Sequence, residues 1–206
     1  MEIMNQIKNL KKIAKNKLAN NDPAHDFEHV MRVYRNAEKI CNTENGNKKL
    51  ILSAVLLHDI IKIKNRKDSA LKSAKLSKKI LKENQFLDNE ISIISDAIKE
   101  HSFSKNKIPT TIEGKIIQDA DRLDAIGAIG LARVFSFSGS NNRPFYDPND
   151  PFSENRVVND DKWALDHFYE KLLTLEKKMN TKTGKSLAKK RTKILRDFLK
   201  ELKNEI

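Results

Sequence analysis

Apolar residues recur along this chain with the three- and four-residue spacing of amphipathic helices, and no segment sustains the strict alternation of a half-buried strand. The pattern predicts an all-α fold. After an opening amphipathic helix, Asp22 and Pro23 have the character of an N-cap and a first-turn residue. The next helix places Val30, Val33, Tyr34, Ala37, Ile40 and Cys41 on one stripe and stops before Gly46. Residues 49–61 are apolar almost all round, which predicts a central helix. Residues 68–83 read as a Lys-rich amphipathic helix facing inward through Ala70, Ala74, Ile80 and Leu81. A further helix starts near Asp88 and runs its stripe of Ile91, Ile94, Ala97 and Ile98 straight into His101.

Thr110 and Glu113 have capping-box spacing and predict the start of one long helix through "EGKIIQDADRLDAIGAIGLARVF", residues 113–135. Gly127 and Gly130 inside it each cost about 1 kcal/mol relative to Ala, so they mark close packing or a helix break. Residues 136–159, rich in Ser, Asn, Pro and aromatics, have no period and read as a long loop, a type that is usually functional or disordered. Two amphipathic helices close the chain, one through Leu165, Phe168, Leu172, Leu175 and Met179, the other through Leu187, Arg191, Ile194, Phe198 and Leu202. The expected organisation is a single domain over 1–206, with a core at about 20–135, the 136–159 loop, and helices at 160–204 packing on the core.

Composition narrows the class. A chain of 206 residues, 38% of them hydrophobic, is long enough to bury a substantial core. One cysteine, Cys41, excludes an intramolecular disulfide framework and fits a reducing cytoplasm. No stretch approaches the ~20 apolar residues that cross a bilayer, and the opening "MEIMNQIKNLKKIAKNKL" is too often interrupted to be a signal peptide. The expectation is a cytoplasmic protein with no membrane partner. The charge of +12 is mostly Lys spread along the whole chain, without an Arg-rich block, so it argues weakly for nucleic acid. It does favour small phosphorylated substrates.

The polar residues in apolar surroundings carry the chemistry. In "AVLLHDIIK", His58 and Asp59 interrupt a run that should be core, and burying both costs several kcal/mol unless each finds a partner. Other His and carboxylate groups recur at helix ends: His25, Asp26, Glu28 and His29 at one, His101 at another, and Asp119, Asp121 and Asp124 in "QDADRLD". Neutral imidazoles and carboxylates are the usual ligands of Mn, Mg, Fe, Co, Ni or Zn, and one bound divalent ion offsets the burial of His58 and Asp59. Helical periodicity does not choose among Asp119, Asp121 and Asp124. Cys41 lies on a core stripe without a visible base. "TGKS" at 183–186 lacks the upstream glycine and strand of a phosphate loop and reads as a helix start.

The ordered set of His29 in "HVMRV", His58 and Asp59 in "LLHDI", and an aspartate in "DADRLD" resembles the HD superfamily of metal-dependent phosphohydrolases. "AHDFEHVMRV", "AIKEHSFSK", "EGKIIQDADRLDAIGAIGLAR" and the tail "HFYEKLLTLEKKMNTKTGKSLAKKR" look closer still to its bacterial single-domain proteins of the YedJ/YpgQ type, over roughly residues 15–200. The resemblance implies an all-α HD-domain helical bundle holding one divalent metal through His29, His58, Asp59 and Asp121. Asp119 and Asp124 would then orient a ligand or hold a cation nearby. Asp59, His101 and Asp26 are the candidates for catalytic work on the water and its proton, and Lys62, Arg122, His101 and His25 for contact with substrate. His101 has three alternatives, namely a substrate phosphate, a proton for the leaving group, or a second metal, beside the plain reading of a helix cap. Lys62 stands where some relatives carry a catalytic glutamate. His167 reads as structural.

The function implied is hydrolysis of nucleotides, triphosphates among them, or related small phosphate compounds by a metal-bound water, releasing phosphate or pyrophosphate. The 136–159 loop is either a lid over a base or a homodimer contact. Two other classes stay open: a non-catalytic nucleotide-sensing module, and a nucleic-acid-directed phosphodiesterase.

Overall fold

Every residue from Leu50 to Leu57 is buried, Ser53 included, so the helix that carries them, α3 (Lys48–Leu57), presents no solvent face beyond its first turn. The computed structural model describes residues 2–19, 26–61, 69–102 and 107–206, and among them it contains helices, turns and loops but no strand. The chain divides into two compact units, Met1–Asp121 and Arg122–Ile206.

The first unit comprises α1 (Glu2–Leu18), α2 (Phe27–Cys41), α3, α4 (Ser69–Glu83), α5 (Asp88–Glu100) and most of α6 (Ile112–Asp124). Around α3 pack α1, α2, α4 and α5, and α4 lies against α5. Burial of each Leu, Ile or Val of α3 stabilises by about 1.5–3 kcal/mol, enough to fix the direction in which the helix delivers its C-terminal end. The central helix stops at Leu57, short of the predicted Ile61, and His58 is its C-cap. At its other end Asn47 accepts from the Leu50 amide at 3.3 Å.

The predicted start of α2 at Asp22 and Pro23 lies outside the described residues, but Asp26 caps the helix, accepting from the His29 amide at 2.8 Å. At the start of α6 the cap is Thr111, whose hydroxyl accepts from the Gly114 amide at 3.1 Å, one residue later than the predicted Thr110. Tertiary bonds explain the shift. Thr110 donates through its amide to Glu100 Oε2 at 3.0 Å, and Glu113 accepts from the Asn47 amide at 3.1 Å, so neither is available for a local capping box.

The long helix expected over 113–135 is two helices, α6 and α7 (Gly127–Ser140). Gly127 has φ +78°, a left-handed conformation that side chains resist, and it makes the break. At Gly130 a Cβ would fall 2.2 Å from the carbonyl oxygen of Ala125, so this glycine permits the close approach. α7 also continues through "SFSGS", so the loop begins at 141 rather than 136.

The second unit consists of Arg122–Asp124, α7, the loop, α8 (Asp166–Glu170), a 3₁₀ segment Leu172–Lys178 and α9 (Lys182–Glu205). α9 packs on α7 and on the 3₁₀ segment, and Phe135, Phe145, Phe168 and Phe198 form an aromatic cluster. The loop is pinned by Asp166, which is fully buried and accepts two bonds from Arg156 (2.6 and 2.8 Å), one from the Asn159 amide (2.6 Å) and one from Ser153 (3.2 Å). His167 pairs with Asp160 at 2.7 Å. Thr181 caps α9 by accepting from the Gly184 amide at 2.9 Å, which places "TGKS" in a first helical turn.

Candidate metal centre

Within the first unit, four helix ends or turns bring His29, His58, Asp59, His101 and Asp121 together. His29 sits in the first turn of α2, held there by the Asp26 cap on its own amide. His58 is the C-cap of α3 and His101 that of α5. The last carbonyls of a helix lack intrahelical partners, and each of these imidazoles supplies one. His58 Nδ1 lies 2.7 Å from the Val55 oxygen, and His101 Nδ1 lies 2.6 Å from the Ile98 oxygen. A carbonyl only accepts, so both Nδ1 atoms carry a proton, and in the neutral ring the lone pair is then on Nε2. Backbone geometry therefore sets the tautomer and aims Nε2, a nitrogen that could hold a metal.

The Nε2 of His58 is fully buried and has no hydrogen-bond partner among the described residues. Leaving such an atom unmatched costs about 1–3 kcal/mol. Around it stand Asp59 Oδ2 and Asp121 Oδ1, each at 3.9 Å, and Asp121 Oδ1 is also 3.6 Å from His29 Nε2. Ligands each about 2.1 Å from one ion are about 3–4 Å apart, so these separations suit a shared cation better than direct hydrogen bonds. The ligand atoms of His29, His58 and Asp121 lie within 4.8 Å of one another, as do those of His58, Asp59 and His101, so His58 belongs to both groups. The rings of His58 and His101 meet edge to face with centroids 5.1 Å apart. Both histidines are buried, whereas the side chains of Asp59 and Asp121 are 23% and 29% exposed, so the cluster opens to solvent on its carboxylate side.

Electrostatics match this division. Burial pushes the Asp121 carboxyl up, but His58, His29 and His101 facing it prevail and hold it below the ordinary carboxylate value. Burial, reinforced by His58, lowers His101 against the pull of Asp59 and Asp121, which favours its neutral form.

The remaining sequence candidates lie in different settings. Asp26 is an N-cap. Asp119 is fully buried on α6, and Asp124 is buried in an ion pair with Arg133 at 2.7 Å. Of the three aspartates, Asp121 is the one grouped with the imidazoles. Arg122 is buried and donates to the Lys178 carbonyl oxygen in the second unit. His25 and Lys62 lie outside the described residues. Among the buried polar residues that the sequence does not single out are the amides Asn36 and Gln118. Asn36 donates to the Ala120 carbonyl at 3.0 Å, tying α2 to α6, and Gln118 reaches the end of α5. Each interrupts an apolar stripe, Asn36 three residues after Val33 and Gln118 directly after Ile116 and Ile117, and that interruption was the available signal.

Comparison with known proteins agrees with this architecture. The HD domain family model matches residues 26–126. The chain is 32% identical to YpgQ of Bacillus subtilis (strain 168) over 211 residues, spanning 100% of this chain and 96% of that one. Its structure resembles that of Bacillus subtilis YpgQ in complex with ADP, with a TM-score of 0.81 at 30% identity over 100% of this chain and 97% of the other. A similar likeness holds to an HD-superfamily hydrolase from Bacillus thuringiensis, with a TM-score of 0.79 at 32% identity over 98% and 97% of the two chains.

Proposed function

The chain belongs to the HD domain family, and on that premise we propose that it is a metal-dependent phosphohydrolase acting on nucleotides or closely related small phosphate compounds. The observation that carries the reading is the unpartnered Nε2 of His58 facing Asp59, Asp121 and, beyond them, His29. His29, His58, Asp59 and Asp121 would hold the ion. A divalent ion held there would supply positive charge to offset that of a phosphate group and would lower the pKa of water toward neutrality. The nucleotide class is supported by the ADP complex of YpgQ and by the excess of cationic side chains.

The protein groups have separable tasks. Backbone bonds at Val55 and Ile98 hold the imidazoles still, so the cluster is ordered before substrate arrives. Water attacks phosphorus, the bond to the leaving oxygen breaks, and the proton released by the water needs an acceptor. His101 supplies one at Nε2, because its Nδ1 already carries the proton and its neutral form is favoured. Its lone pair makes it an acceptor first, so a donor role toward substrate phosphate begins only after it has taken that proton.

The test is a panel of nucleoside mono-, di- and triphosphates incubated with metal-stripped protein, with Mn, Mg, Co, Ni, Fe or Zn restored one at a time and the products identified. Release of phosphate or pyrophosphate with at least one ion is the expected result, and the product assigns the phosphorus attacked. Absence of turnover with every pairing overturns the enzymatic reading. A folded His58→Ala protein with full activity overturns the site.

A further inference from the structure

Gln118 is not among the clustered imidazoles and carboxylates, yet it is almost fully buried and its Nε2 lies among three backbone carbonyl oxygens. Nε2 lies 3.0 Å from the Lys107 carbonyl oxygen, 3.3 Å from that of His101 and 3.4 Å from that of Glu100. Glu100 is the last residue of α5 and His101 its C-cap, so two of these oxygens belong to the helix end that has no intrahelical donors left. Gln118 stands on α6 three residues before Asp121, which puts the two side chains on neighbouring parts of one helix face. A single helix thus both presents the Asp121 carboxylate and grips the backbone of His101.

We infer that Gln118 is a positioning residue for His101, setting the distance between the His101 imidazole and the His58–Asp121 cluster through the backbone of α5. The inference rests on the proposed hydrolytic reading of the site. The direction of the His101 ring follows from its backbone, since Nδ1 is bonded to Ile98 only three residues back. Releasing the carbonyls of Glu100 and His101 lets this helix end fray, and misplacement of a reacting group by about 1 Å costs on the order of 100-fold in rate. The Asp121 side of the cluster, fixed by α6 itself, is untouched.

The test uses the full chain with Gln118→Met, which keeps the volume and removes the donor, alongside His101→Ala and the double variant. The imidazole nitrogens are read by NMR, and rates are measured on nucleoside di- and triphosphates. In Gln118→Met the protonated Nδ1 signal of His101 should shift toward a tautomer mixture while that of His58 stays in place. Turnover should fall about 10-fold, the usual scale for loss of a group that orients a catalytic one. The double variant should be no slower than His101→Ala alone, as two changes acting through one group require. Unchanged His101 nitrogen signals in a folded variant, or losses that simply add, overturn the proposal. Should Gln118→Met fail to fold, Gln118→Asn, a methylene shorter and unable to span the same carbonyls, is read by the same criteria. The nitrogen signals decide the matter even if the wild-type protein turns over no nucleotide, so failure of the hydrolytic reading and failure of this inference are told apart.

Discussion

A single carboxylate oxygen, Asp121 Oδ1, faces His58 Nε2 at 3.9 Å while standing 3.6 Å from the Nε2 of His29. Such spacing is too wide for hydrogen bonds and suits atoms that share an ion. Binding of a divalent ion to the folded chain alone should therefore raise its stability. At an ion concentration of about 100 times the dissociation constant the gain is about 2.7 kcal/mol. Thermal melts with and without a chelator should show this shift in the wild-type protein and lose most of it in His58→Ala and Asp121→Asn. A folded Asp121→Asn protein that keeps the whole shift would remove Asp121 from the ligand set.

Asp124, three residues further along α6, should behave in the opposite way. Its carboxylate is buried and paired with Arg133 at 2.7 Å, and loss of a hydrogen bond to a charged group costs about 1.5–3 kcal/mol. Asp124→Asn should lower the urea midpoint substantially yet leave the metal-induced shift intact. Loss of the metal shift in a protein that remains folded would place Asp124 in the site and weaken the separation drawn between the two aspartates.

That separation shows where sequence reasoning runs out. Asp119, Asp121 and Asp124 all lie close to the apolar stripe of α6, and periodicity ranks them almost equally; what tells them apart is which neighbour each meets, Arg133 for Asp124 and the imidazoles for Asp121. Burial patterns served well where a helix has one apolar face, as in α2, α4 and α5, and the apolar run of 49–61 announced the central helix, which ends sooner, at Leu57. They failed for residues 165–179. Leu165, Phe168, Leu172, Leu175 and Met179 fit an α-helical stripe, but three-residue spacing also suits three residues per turn, and the chain bends at Lys171 (φ −129°, ψ −60°) into a 3₁₀ segment that buries Leu172 and Leu175 just as well. The caps shifted for a related reason: Glu113 and Thr110 spend their bonds on Asn47 and Glu100, partners far along the chain that no local motif reveals.

The junction of α6 and α7 has a steric prediction. A methyl group at position 130 would lie 2.2 Å from the Ala125 oxygen, and the obstacle is backbone, which has little room to yield. Gly130→Ala, a change that stabilises an unobstructed helix by about 1 kcal/mol, should here destabilise by about 1–3 kcal/mol. Urea unfolding measures the sign directly. A stabilised variant would mean that α7 can move away from Ala125 at no cost.

Stability at acid pH should depend on Asp166. Burial alone would raise this carboxyl, but the Arg156 guanidinium, the Asn159 amide and the Ser153 hydroxyl outweigh it and hold it below the ordinary carboxylate value. A group whose folded value is depressed binds its proton more weakly in the folded chain than in the unfolded one. Its contribution is therefore complete above the unfolded value of about 4 and fades as the pH falls through the lower folded value. Asp166→Asn leaves Arg156 without its closest partner, so the variant should be less stable by about 1.5–3 kcal/mol at neutral pH, and the difference from wild type should shrink as the medium is acidified below about pH 4. Urea unfolding across that range reads both quantities. A difference that stays constant from neutral to strongly acid solution would show that the carboxylate's charge contributes nothing to holding the loop, and that the bonds around Asp166 act through geometry alone.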